Sequence, residues 1–148
     1  MARLILASSS PRRRELLEQL GLVFDIYSPD IDESVQVGEP VAHYVERLAC
    51  AKAEAVQLQY PDAIVIAADT SLGVDQEILG KPESKQHAFE MWGKISGRKH
   101  DVYTAVCVRT NTQISSIVVR TEVEFQHLSP NDMEAYWATS EPLGKAGA

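Results

Sequence analysis

Two hydrophobic periods take turns along this chain. Leu4-Ile5-Leu6-Ala7 is a continuous apolar run of the kind that forms a short buried strand, and helical spacing follows it. Ser10 suits an N-cap and Pro11 a first helical position; Leu16, Leu17 and Leu20 recur on one side, and Gly21 supplies the stop. Residues 23–29, "VFDIYSP", alternate like a half-buried strand, and Asp30–Pro40 is a polar, acidic loop. Pro40 opens a long helix expected to end near Tyr60-Pro61, with Val41, Tyr44, Val45, Leu48, Ala49, Ala53 and Val56 at helical spacing. Ala63–Asp69 is the most apolar run of all and reads as a central strand buried on both faces, with Asp69 at its C-terminal tip.

The second half is richer in strand patterns. Residues 71–82 hold two short apolar pieces around Asp75-Gln76, which predicts a hairpin delivering Gly80-Lys81-Pro82. Ser84 caps the next helix, whose apolar face is Ala88, Met91, Trp92 and Ile95 and whose end is Gly97. His100–Thr110 and Ile114–Leu128 form a long hairpin through Asn111-Thr112-Gln113. Ser129-Pro130 repeats the cap signature, with Asp132 at the third helical position and Met133, Tyr136 and Trp137 on the apolar side. No internal repeat is present. Elements in this order predict an α/β fold with a mixed sheet, and 148 residues at 45% hydrophobic support one domain, 1–148.

Charge narrows the partners. A formal net charge of −7 and a pI near 5.0 argue against a nucleic-acid backbone, whose partners are usually basic. Yet Arg12, Arg13 and Arg14 crowd the first turn of a helix, which is already its positive end. A local basic cluster on an acidic protein points to a small anion. The only cysteines, Cys50 and Cys107, lie far apart in sequence and signal neither a zinc site nor a disulfide framework. No apolar run nears the ~20 residues of a membrane span, and the one at the N-terminus is too short for a signal peptide. A soluble protein of the reducing cytoplasm, bound to no membrane, is expected.

The candidate chemistry sits at element ends. A strand, the turn Ser8-Ser9-Ser10 and a helix N-terminus bearing guanidiniums suit a phosphate, although a solvated basic patch has the same sequence. Asp69 ends the most buried strand, where open α/β sheets place their ligands. Asp32, Glu33, Lys52, Lys81, Arg12 and Arg13 fall on turns or helix faces able to converge with it. Carboxylates with cations are the recipe for a metal-bound polyphosphate, with Mg²⁺ held by one or two carboxylates and the substrate oxygens. Taken singly, each such pair is an ordinary surface ion pair worth ~0–1 kcal/mol. Other motifs fail on spacing: six residues separate Gly73 from Gly80 where a P-loop needs four, and no GxGxxG, HExxH or GxSxG occurs. His43, His87, His100 and His127 are expected to be structural or solvated.

Six segments carry a resemblance: "LILASSSPRRRELL", "IDES", "VERLACAKAEAV", "AADTSLGVDQEILGKP", "SGRKHDVYTAV" and "SEPLGKAGA". Together, from residue 3 to the last, they resemble the Maf family of nucleoside triphosphate pyrophosphatases, relatives of the inosine triphosphatase fold. The resemblance implies a mixed, twisted sheet with flanking helices. It also implies a hydrolase, dependent on Mg²⁺ or another divalent cation such as Mn²⁺, that cuts a nucleoside triphosphate between the α and β phosphorus atoms. Asp69 then matches the family's proton acceptor, Glu33 and Asp69 the metal-side acids, and Arg13, Lys52 and Lys81 the phosphate-contacting cations. Arg12 and Thr70 resemble the subgroup acting on dTTP and UTP; Ser8 belongs to the phosphate turn. Proteins of this type are cytoplasmic, often homodimeric, and linked to nucleotide clearance and to arrest of cell division. Family members usually continue beyond "KAGA", so this chain is expected to lack a C-terminal segment, and a non-catalytic nucleotide-binding regulator of division is the alternative to an enzyme.

Overall fold

The computed structural model describes residues 3–75, 77–79 and 83–139. Its elements run β1 (Leu4–Leu6), α1 (Pro11–Gln19), β2 (Asp25–Ile26), α2 (Val41–Gln59), β3 (Ile64–Val74), β4 (Glu77–Leu79), α3 (Lys85–Ile95), β5 (Lys99–Arg109), β6 (Ile114–Glu124) and α4 (Pro130–Ala138). The sheet has the order β2-β1-β3-β5-β6, with β4 paired to β3. β1 runs parallel to both β2 and β3, and β3 and β4 are antiparallel, so the sheet is mixed as expected. The chain divides into two compact units, Met1–Asp69 with Thr104–Val118 and Thr70–Tyr103 with Val119–Ala148. No helix among the described residues is long and apolar enough to cross a membrane.

The first unit is organised by β1, the front of β3 and α2. Ile5, Leu6, Val65 and Ala67 on the strands and Val45, Leu48, Ala49, Ala53 and Val56 on α2 are buried. Small residues at 49, 53 and 67 leave room for a helix to lie close on a strand, and Leu48→Ala would cost roughly 2–5 kcal/mol. The Gln57 side chain donates to the carbonyls of Pro61 (2.9 Å) and Ala63 (3.2 Å), fixing the end of α2 to the start of β3. Ser10 caps α1 by accepting from the Arg13 N–H, and Gly21, at φ +75, makes the left-handed exit the sequence predicts.

The structure differs from the sequence pattern at three places. The apolar stripe of α1 is not core: no residue of that helix is buried, and Leu16 and Leu20 are exposed. Periodicity defines an apolar side; it does not say that anything packs there. "VFDIYSP" contributes only the two-residue β2, because β1 beside it is three residues long and offers no longer ladder. β3 does not stop at Asp69; it continues to Val74, pairing Leu72, Gly73 and Val74 with Leu79, Ile78 and Glu77. Asp69 is therefore inside a strand, not at its tip.

In the second unit Leu72, Val74 and Leu79 on the strands pack with Ala88, Met91, Trp92 and Ile95 of α3, and Met133, Tyr136 and Trp137 of α4 close over them. Both helices begin as the sequence predicts: Ser84 accepts from the His87 N–H at 3.0 Å, and Ser129 and Asp132 form a reciprocal capping box.

Candidate active site

All of the assembled site lies in the first unit, and each side chain has a local reason to be there. On β3 side chains alternate faces, and the buried residues Val65, Ala67 and Asp69 share one. Lys52 lies on α2 between the buried Leu48, Ala49, Ala53 and Val56, so its stem is covered and only its ammonium reaches out. The Lys52 Nζ stands 3.0 Å from Asp69 Oδ1 and 3.5 Å from Glu33 Oε1. Glu33 comes from the loop between β2 and α2, with its side chain half exposed. From α1, Arg13 Nη1 donates to the Ala68 carbonyl at 3.0 Å and to Ser8 Oγ at 3.4 Å. Ser8, itself buried, accepts the Ser10 N–H at 3.0 Å. Strand, serine turn and helix start thus form one bonded corner behind Asp69.

The electrostatics of Asp69 are a contest between solvent and cations. Burial raises its pKa above the usual carboxylate value, the Lys52 ammonium and the Arg13 guanidinium pull it back, and Glu33 adds to the rise; burial wins. Burial also lowers the pKa of Arg13, against the attraction of Asp69. Oδ1 of Asp69 is taken by Lys52, whereas Oδ2 is buried and has no hydrogen-bond partner. An oxygen of that kind costs energy until a proton or a cation meets it.

A divalent cation fits this donor set. Among the described residues no group of three or more His, Cys, Asp or Glu side chains could hold a metal alone. Glu33 and Asp69 are two hard oxygen donors beside one lysine, and Mg²⁺ commonly takes one or two carboxylates and completes its shell with water and substrate phosphate. The group can therefore bind a phosphate ester together with a hard cation.

The remaining candidates separate. Arg12, one residue before Arg13, is exposed. Thr70 follows Asp69 in β3, so its side chain leaves the opposite face of the strand. Asp32 turns its carboxylate onto Ser34, accepting from the backbone N–H (2.9 Å) and the hydroxyl (2.6 Å), which lowers its pKa. Lys81 lies outside the described residues.

Three residues near the site went unrecognised in the sequence. The Tyr44 hydroxyl donates to the Glu33 carbonyl at 2.6 Å, Arg47 Nη2 donates to the Ser34 carbonyl at 2.9 Å, and Glu39 accepts both Nε and Nη2 of Arg47. Tyr44 had looked like one more apolar stripe position; a polar-tipped aromatic in such a stripe, with arginine three residues on, was the available signal.

Comparison with known proteins places the fold and the family. The Ham1 protein of Staphylococcus aureus superposes with a TM-score of 0.55 at 17% identity, covering 82% of this chain and 69% of that one. A HAM1 protein from Coxiella burnetii does so at 0.51 and 16%, covering 83% and 73%. The shared architecture is thus the Ham1-type α/β fold. The model of the family described as Maf-like protein matches residues 3–148. The chain is 63% identical over 143 residues to a dTTP/UTP pyrophosphatase of Acinetobacter baylyi, spanning 97% of this chain and 78% of that protein. It is 51% identical over 150 residues to one of Moorella thermoacetica, spanning 100% and 77%. This chain belongs to the Maf family.

Proposed function

We propose that this chain is a nucleoside triphosphate pyrophosphatase acting on dTTP and UTP, releasing the nucleoside monophosphate and pyrophosphate. The observation that carries the reading is the buried Asp69, with one oxygen on Lys52 and the other unpartnered, beside Glu33 and Arg13. That the relatives 63% and 51% identical are dTTP/UTP pyrophosphatases supports the substrate class.

Asp69 accepts the proton of a water attacking the α phosphorus, at Oδ2. Its burial makes it a stronger base than a solvated carboxylate, and Lys52 and Arg13 keep it ionised enough to act. As the new oxygen–phosphorus bond forms, the bond to the bridging oxygen breaks and pyrophosphate leaves with the electron pair. Lys52 and Arg13 meet the negative charge of the phosphates, and Ser8 orients Arg13 and the phosphate turn; the family resemblance gives Lys81 as a further phosphate-contacting cation. Glu33 and Asp69 would hold a divalent cation such as Mg²⁺ or Mn²⁺, which would supply charge neutralisation for the leaving group. Arg12 and Thr70 are the positions at which the chain resembles the subgroup acting on dTTP and UTP, which favours a pyrimidine substrate. The setting is nucleotide clearance in the cytoplasm by a homodimer, with an influence on cell division.

Asp69→Asn tests the assignment. The change keeps the volume and removes base and charge, so turnover of dTTP should fall by ~10²–10⁴-fold while the melting transition stays cooperative. Near-wild-type pyrophosphate release from a well-folded Asp69→Asn protein would show that the site is elsewhere.

A further inference from the structure

The loop between β2 and α2, residues 27–40, has no regular structure, and its side chains from Asp32 to Gly38 are exposed. A loop of that length and composition is free to sample many conformations unless something holds it. Nevertheless it must bring the Glu33 carboxylate to Lys52. The ties come from one end of α2 and go to the loop backbone. Tyr44 holds the carbonyl of Glu33, and Arg47, the next residue but two, holds the carbonyl of Ser34. Arg47 is itself fixed: its Nε and Nη2 meet the two oxygens of Glu39 at 2.7 and 2.9 Å, a bidentate geometry only a guanidinium makes. Glu39 also accepts the Gln36 N–H at 3.1 Å and faces His43 Nδ1 at 2.6 Å, while the Glu39 N–H closes a turn onto the Gln36 carbonyl at 3.1 Å. The guanidinium lies over the Tyr44 ring, 5.6 Å from its centre, so the two holding groups brace each other. The Arg47 bonds account for the fall of the Glu39 pKa to about 2, which keeps Glu39 ionised throughout the working range.

We infer that Tyr44 and Arg47, anchored by Glu39, are positioning residues: by holding the consecutive backbone carbonyls of Glu33 and Ser34 they set the Glu33 carboxylate for the divalent cation. This rests on the reading that Glu33 is a cation ligand. The hydrogen bonds of both side chains go to the loop backbone and to Glu39. Both ties go to main chain, so the loop side chains can change while the register of Glu33 stays fixed. The arrangement is a tether on a ligand, and such supporting contacts typically govern metal affinity by about 10–100-fold.

The test uses Tyr44→Phe, Arg47→Lys and Glu33→Gln in the full chain, with two readouts. The first is the Mn²⁺ concentration needed for half-maximal turnover of dTTP. The second is amide hydrogen exchange of residues 30–39 without metal or nucleotide. Tyr44→Phe and Arg47→Lys should each raise the Mn²⁺ requirement by about 10-fold, leave kcat at saturating Mn²⁺ within a few-fold of wild type, and speed exchange in residues 30–39 but not in 45–56. In the Glu33→Gln background, Tyr44→Phe should add no further shift. An unchanged Mn²⁺ requirement in both clamp variants, with Glu33→Gln shifted, would overturn the clamp alone. An unchanged requirement in Glu33→Gln would overturn the cation-ligand reading beneath it. A loss of kcat that saturating Mn²⁺ does not restore would also overturn the clamp, because it would place these residues in the chemistry or the packing.

Discussion

Removing the Lys52 ammonium should destabilise the folded protein by an amount that depends on pH, and the dependence can be worked out. At 3.0 Å from Asp69 Oδ1, the pair attracts by about 5.5 kcal/mol at an effective dielectric of 20. In Lys52→Met the stem is kept, but the buried carboxylate loses this partner and retains only Arg13. The penalty of ionised Asp69 has a ceiling, however, because the group can take up a proton instead. From an ordinary value of 3.8, holding a proton at pH 7 costs 3.2 pH units at about 1.36 kcal/mol each, or ~4.4 kcal/mol. At pH 5 the same ceiling is ~1.6 kcal/mol. The attraction lost exceeds both figures, so the variant settles its deficit by protonation. Part of the ceiling is already used in the wild type, where burial outweighs the cations. The expected loss is therefore about 2–4 kcal/mol at pH 7, shrinking to at most ~1.6 kcal/mol at pH 5. The sign follows from proton counting. With a raised folded-state pKa the folded chain binds more protons than the unfolded one above pH 3.8, so stability declines as pH rises through that window. Urea unfolding of both proteins in metal-free buffer at the two pH values measures it. Equal deficits at pH 5 and pH 7, or a larger one at pH 5, would mean that Lys52 contributes packing and does not offset the Asp69 charge.

Further outcomes are expected elsewhere in the molecule. Arg13→Ala should lower kcat/KM for dTTP by the equivalent of roughly 2–5 kcal/mol and abolish most of the rise in Tm on adding nucleotide and Mg²⁺. Arg14→Ala, which loses only the exposed 2.9 Å pair with Glu18, should match wild type in both; identical behaviour of the two variants would refute the division of labour along α1. Ser129→Ala breaks the capping box of α4 and should cost about 1 kcal/mol in urea unfolding, with dTTP turnover unchanged. In substrate competition kcat/KM should be higher for dTTP and UTP than for GTP and 7-methyl-GTP, and a purine preference would contradict the substrate assignment.

Local signals were legible in the sequence wherever a few neighbouring residues decide the outcome. Ser10, Ser84 and Ser129 all accept the N–H three residues on, and Gly21 and Gly97 adopt φ of +75 and +66 at the helix exits. Where a distant partner decides, the pattern was silent. Whether β3 continues past Asp69 depends on β4 being there to pair with residues 72–74. Whether Leu16 and Leu20 are core depends on something packing against α1, which periodicity cannot supply. At the site, Asp69, Lys52, Glu33, Ser8 and Arg13, singled out by residue type and position, come together in one corner. Arg12 and Arg13 were indistinguishable until the 100° step between helix neighbours carried one to the Ala68 carbonyl and left the other exposed. Thr70 was decidable in advance, since a strand sends neighbours to opposite faces. Tyr44 and Glu39 were hidden because their role is to bind main-chain groups, and main-chain acceptors leave no mark on a sequence.

Hydrolysis of dTTP in ¹⁸O-water, followed by ³¹P NMR for wild type and Asp69→Asn with Mg²⁺, tests the central claim most directly. Asp69-assisted attack at the α phosphorus predicts one ¹⁸O in the phosphate of dTMP, none in pyrophosphate, and no appreciable product from the variant. Label in the pyrophosphate, release of orthophosphate with a diphosphate, or unimpaired turnover by Asp69→Asn would contradict it.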